Sequence, residues 1–112
     1  MMAIKSQLVV TTLDLDEEGF LRHPGIWNEN VAQLLAQDEI SEGLTEEHWK
    51  LINYLRQYYL EFDTVPPVRM IRRYTGFNLQ HIYKLFPPGL TMGACRIAGI
   101  PRATIRPNFL YP

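Results

Sequence analysis

The chain has 112 residues, enough for one domain with one hydrophobic core and too few for two. Apolar residues make up 46% and charged residues 21%, ordinary globular proportions that exclude wholesale disorder, collagen-like repeats and low complexity. The formal charge of −1 hides a division: residues 1–63 hold all 12 acidic groups and sum to −8, while residues 64–112 carry only basic groups and sum to +7. Either the halves neutralise each other inside one domain, or the basic half faces an anionic partner.

The N-terminal residues 1–6 carry no structural signal and are expected to be flexible. Leu8 to Asp14 are rich in β-branched residues, Asp16-Glu17-Glu18-Gly19 reads as a turn, and Phe20-Leu21 follows, so a small β-hairpin is predicted. Pro24-Gly25 interrupts the chain. Asn28 is the predicted cap of a first helix, with Val31, Leu34 and Leu35 on one face and an end near Asp38. Thr45 caps the second, with Glu46 and Glu47 favourably placed at its positive end. In that helix Trp49, Ile52, Leu55, Tyr59 and Phe62 recur at helical spacing, and Leu51, Tyr54 and Tyr58 widen the apolar face, which predicts a central helix ended by Pro66. Two short helices follow, near 67–74 and 78–86, joined by a Gly-containing turn, the second capped by Asn78. A last one is predicted over Met92 to Ala98, capped by Thr91. Three prolines fall in the final twelve residues, so residues 99–112 read as an extended C-terminal arm. The predicted fold class is mainly α with a small N-terminal β-hairpin, about five helices and a helix-turn-helix-like pair.

Motifs with chemistry are few. The single cysteine, Cys95, excludes an intramolecular disulfide and any Cys-cluster metal site, and fits a reducing, cytoplasmic setting. No apolar run reaches the roughly 18 residues that suggest a membrane span, and the N-terminus lacks a leader pattern. His23, His48 and His81 are far apart in sequence and do not suggest zinc. Asp14, Asp16, Glu17 and Glu18 lack calcium-loop spacing. His48, near a helix start, reads as a capping or surface residue rather than a base. There is no phosphate-cradling glycine loop and no Ser/His/Asp arrangement, so no cofactor, no metal and no independent enzyme are expected. One rival reading comes from the 67–86 helix pair. Arg69, Arg72, Arg73 and Lys84 would contact phosphates, and Asn78, Gln80 and His81 would sit where base edges are read.

The order of several motifs resembles the DsrC/TusE family of sulfur-relay proteins. Asp16-Glu17-Glu18-Gly19-Phe20-Leu21 with Trp27 is similar to the family's entry segment. Leu44-Thr45-Glu46-Glu47-His48-Trp49 and Tyr59-Leu60-Glu61-Phe62 resemble its long helix. Pro67-Val68-Arg69-Met70, Ile82-Tyr83-Lys84-Leu85-Phe86-Pro87-Pro88-Gly89 and Cys95-Arg96-Ile97-Ala98-Gly99-Ile100-Pro101-Arg102 continue in order. The likeness spans residues 13–102.

The resemblance implies a sulfur carrier with a reactive cysteine at the arm tip, and in DsrC-type members a second cysteine on the last helix. Cys95 matches the second; Arg106 stands at the tip position, followed by six further residues. The segment between Tyr74 and Leu79 looks shorter than its DsrC counterpart. With one thiol, no intramolecular disulfide or trisulfide can form, so Cys95 alone could hold a persulfide, unless it is a buried inert thiol. Arg96, Arg102 and Arg106 are the candidate partner contacts, and the arm is expected either to fold back toward Cys95 or to stay free. The expected function is a sulfur-metabolism accessory, a regulatory or carrier subunit. Its implied partners are proteins, sulfite reductase or a sulfur-transfer complex. A DNA-binding regulator is the alternative.

Overall fold

A computed structural model describes residues 13–105. Four α-helices run in chain order: α1 (Glu29–Ala36), α2 (Glu46–Phe62), α3 (Val68–Thr75) and α4 (Leu79–Leu85). A fifth helical segment, α5 (Leu90–Cys95), is wound as a π-helix, and 3-10 turns cover Pro24–Ile26 and Arg102–Thr104. No sheet forms among the described residues.

The predicted hairpin reduces there to one antiparallel bridge, Leu15 with Leu21; residues 8–12 of its first strand lie outside the described residues. Asp16 turns its carboxylate back onto the chain and accepts from the Glu18 and Phe20 amides, each at 2.9 Å. Asp14 holds a left-handed backbone, φ 54°. The backbone pairs flanking the bridge are made, the Asp16 amide donating to the Phe20 carbonyl at 2.8 Å and the Arg22 amide to the Asp14 carbonyl at 3.1 Å. The turn still delivers Phe20 and Leu21 fully into the core.

Three predicted caps are formed, at Asn28, Thr45 and Asn78, while Thr91 caps nothing. Asn28 Oδ1 accepts from the Val31 amide at 2.9 Å, and Asn78 Oδ1 from the His81 amide at 2.8 Å. Thr45 and His48 make a reciprocal capping box in which histidine takes the role usual for Glu or Gln. α2 ends at Phe62, four residues before the proline pair, because Asp63 adopts the left-handed conformation and its amide bonds to the Tyr59 carbonyl at 2.7 Å. Gly76, at φ 78°, closes α3 the same way, a conformation that costs glycine little.

α2 is central, as its double apolar stripe predicts, and packs against α3 and α5. Leu51, Ile52 and Leu55 are fully buried, but Phe62 is exposed and Tyr54 only partly covered. α5 starts at Leu90 rather than Met92, so Thr91 lies inside it and Gly89 precedes it. Its wide winding shows at Arg96, whose amide is shared between the carbonyls of Gly93 and Thr91. Ile100 and Ile105 are buried, so the first residues of the arm pack against the body.

Candidate functional site: the root of the C-terminal arm

The segment from Cys95 to Ile105 gathers polar contacts from several parts of the fold. Cys95 sits at the end of α5 with its thiol fully buried. Burial pushes its pKa well above the usual thiol range, because a thiolate there would lose its hydration; the positive charge of Arg102 offsets part of this. A sulfur chemistry that starts from a thiolate is disfavoured while the core stays closed.

Arg96 is also buried, at 8% exposure. Its Nε donates to the Met92 carbonyl at 2.8 Å and its Nη2 to the Leu35 carbonyl at 3.0 Å, and it pairs with Glu39. The guanidinium thus ties α5 to the end of α1. Arg102, half-exposed, lies over the Phe20 ring, 6.0 Å from its centroid. Its Nε is 3.4 Å from Glu18 Oε1, an ion pair without a directed hydrogen bond from that nitrogen, and its Nη1 donates to the Ile105 carbonyl at 3.4 Å. This fastens the arm to the Asp16–Phe20 turn and gives the basic half an acidic contact within the domain.

Two further residues hold the point of exit. Trp27 Nε1 donates to the Ile97 carbonyl at 2.8 Å. Arg56, from α2, donates to the carbonyls of Ala98 (3.2 Å), Gly99 (3.3 Å) and Pro24 (2.7 Å) while its guanidinium stacks 4.7 Å from the Trp27 ring centroid. Burial lowers the Arg56 pKa, with Tyr59 opposing, but guanidinium remains charged at any physiological pH. Gly99 runs against the Trp27 ring, where a Cβ would lie 2.3 Å from Cδ1, at φ 74°. Only glycine meets both demands.

Of the residues singled out by sequence, Cys95, Arg96 and Arg102 come together at this root. Arg106 lies outside the described residues, as do the arm tip and its possible fold-back. Arg69, Arg72 and Arg73 come together elsewhere, exposed and lining an open groove with Gly76, Phe77 and Asn78; Lys84 is exposed on α4 and does not line it. Asn78 spends its oxygen on the α4 cap, which leaves it no acceptor for bidentate reading of a base, and His81 Nε2 lies 3.1 Å from Glu47 Oε2. Among the described residues no group of three or more His, Cys, Asp or Glu is placed to hold a metal. Pattern does not mark Arg56 as a structural anchor; His48, expected as a capping or surface residue, does cap α2 and is buried against the Leu85 carbonyl as well. Each is one polar residue on an apolar helix face, the single signal that could have marked them.

The comparisons agree with this architecture. Residues 7–105 match the family described as "DsrC like protein". The gamma subunit of dissimilatory-type sulfite reductase from Nitratidesulfovibrio vulgaris is 34% identical, the match covering 83% of this chain and 89% of that protein. The sulfurtransferase TusE of Photorhabdus laumondii is 38% identical over 80% of this chain and 86% of its own. The crystal structure of the oxidized gamma subunit of dissimilatory sulfite reductase (DsrC) from Archaeoglobus fulgidus superposes with a TM-score of 0.72 and 49% identity, covering 80% of this chain and 88% of that one. By sequence, and by a helical core that carries a fastened C-terminal arm, the chain belongs to the DsrC family.

Proposed function

We propose that this protein is a binding or regulatory accessory of sulfur metabolism that engages a sulfite reductase or a sulfurtransferase relay complex through its C-terminal arm. The observation that carries the reading is the pairing of a rigid arm root with a sealed thiol. Trp27 and Arg56 fix the exit at Gly99, and Cys95 lies beneath it without solvent access. A rigid root lowers the ordering cost of presenting the arm to a partner, which supports binding. The relatives named as a sulfite reductase gamma subunit and as sulfurtransferases support the same partner class.

Arg106 at the position of the family's tip cysteine supports a role without redox turnover. A persulfide on Cys95 requires α5 to open first, since the attacking species is the thiolate. The DNA-binding alternative draws support only from the exposed arginines of the 67–86 pair. The sequence pI of about 6.3 weighs against it, since nucleic-acid-binding domains commonly exceed about 9. A cytoplasmic site of action fits one free buried cysteine and the absence, among the described residues, of any helix long and apolar enough to cross a membrane.

The test has two arms. Calorimetric titration with a purified dissimilatory sulfite reductase and with a sulfurtransferase relay complex should show saturable binding to one of them, weakened by Arg106→Ala. Intact-mass measurement after exposure to a sulfane donor, beside Cys95→Ser, should show no added sulfur on the folded chain. A sulfur adduct that reductant removes, absent from the Ser variant, would return the protein to the carriers. Binding to neither complex would defeat the accessory reading.

A further inference from the structure

The arm root leaves unexplained the surface on the seam between α2 and α3. Four aromatic rings run along it in contact. Tyr74 stacks on Tyr54 (4.2 Å between centroids, 9° between planes), Tyr54 leans on Tyr58 (6.3 Å), and Tyr58 on Phe62 (4.6 Å). Tyr74 is 59% exposed and Phe62 55%, and Met70, one turn before Tyr74 on the same face, is exposed too. Scattered exposed apolar side chains are ordinary, but a contiguous ladder is not. The neighbouring face of α3, with Arg73 one turn from Met70, carries Arg69, Arg72 and Arg73, all exposed and lining the groove with Phe77. None of the three pairs with a carboxylate among the described residues, whereas Arg22, Arg96 and Arg102 each do.

We infer that the α2–α3 seam is a second docking surface, independent of the arm, for a partner-protein segment that is apolar on one face and acidic on the other. The apolar face covers Met70, Tyr74 and Phe62, and the acidic face meets the three arginines. The occupant follows from charge complementarity: uncompensated guanidinium groups rim one edge of an exposed aromatic ladder. Tyrosine and arginine are also the residue types most enriched among interface anchors, and an amphipathic helix laid along a seam is a recurring recognition mode. A nucleic-acid strand fits less well. The same fold carries −8 on residues 1–63, which repels a long polyanion, whereas a short acidic segment meets only the local field. Glu61 and Asp63 flank Phe62 in sequence, which sets the partner's acidic residues toward α3.

The test uses the full chain and a fluorescein-labelled helical peptide with one Leu face and one Glu face. The controls are the same peptide with Lys for Glu and a single-stranded oligonucleotide. The Glu peptide should bind saturably, weaken as salt is raised, and weaken about tenfold with the Arg72→Glu/Arg73→Glu double variant. Phe62→Ala and Tyr74→Ala should each weaken it about fivefold. Arg22→Glu, on the N-terminal turn, should leave affinity within about twofold. Tyr74→Phe keeps the stacked ring and should keep binding, which separates lost contact from lost fold. Absence of saturable binding, equal binding of the Lys peptide, tighter binding of the oligonucleotide, or an unchanged affinity in the double variant would each overturn the proposal.

Discussion

Arg56 lays its guanidinium 4.7 Å from the centroid of the Trp27 ring and, from that position, donates to three backbone carbonyls on two distant stretches of chain. Trp27 in turn donates to Ile97. One stacked pair therefore joins the Pro24–Ile26 turn, α2 and the start of the arm. A planar fork suits this, because it can stack and donate in its own plane at once.

Arg56→Ala should lower unfolding stability by about 2–3 kcal/mol, from lost charge-assisted hydrogen bonds and lost stacking. Arg56→Lys should recover less than half of that, since an ammonium supplies neither the fork nor the plane. Urea denaturation of the three proteins reads the difference. A Lys variant as stable as the parent would show that charge alone matters.

Gly99→Ala places a methyl group against Trp27 and forces a positive φ on an L-residue. Strain and overpacking together should cost about 2–4 kcal/mol or shift the arm root away from the ring. The Trp27 environment reports which. A red-shifted indole emission with faster proteolysis after Ile97 is the expected outcome.

The Cys95 pKa is raised by burial, so the folded chain keeps its proton where the unfolded chain loses it. The unfolded state then binds fewer protons, and stability falls as pH rises above the ordinary thiol range near 8.5, by up to about 1.4 kcal/mol per unit. Below that range the contribution is fully present. Cys95→Ala should remove this component of the alkaline slope, at some cost from the cavity it leaves. Iodoacetamide should label native Cys95 far more slowly than the urea-unfolded chain. Equal rates would contradict the burial.

His48 accepts the Thr45 amide on Nδ1 at 3.0 Å, and its Nε2 lies 2.8 Å from the Leu85 carbonyl. A carbonyl only accepts, so Nε2 carries the proton. His48→Ala breaks both contacts and empties part of the core beside Phe86, whose ring it meets edge-on at 5.1 Å. A loss of about 2–4 kcal/mol is expected, against about 1 kcal/mol for Thr45→Ala, which removes only a cap. Thermal unfolding of the two variants checks the order.

The helices, their caps and the central place of α2 were legible in the sequence because they rest on local physics. Apolar residues at helical spacing, Asn28, Thr45 and Asn78 as caps, and Gly76 as a stop act within a few residues of themselves. The motif order that identifies the family was legible for the same reason, with Cys95, Arg96 and Arg102 inside its last motif. Tertiary structure decided what those residues do. Nothing near Cys95 in the chain says that its thiol is sealed. Leu35 and Glu39, 61 and 57 residues from Arg96, turn that arginine from a candidate partner contact into a buried tie. Arg56 looked like one charge on an amphipathic helix until folding brought it Pro24, 32 residues before it, and Ala98, 42 residues after it. Of the predicted hairpin, the described residues keep the Leu15–Leu21 bridge, beside a turn in which the Asp16 carboxylate holds the amides of Glu18 and Phe20. Short-range hydrogen bonds and periodicity can be read along a chain. The partners of a buried charge or thiol are set by which surfaces meet, and only the fold fixes that.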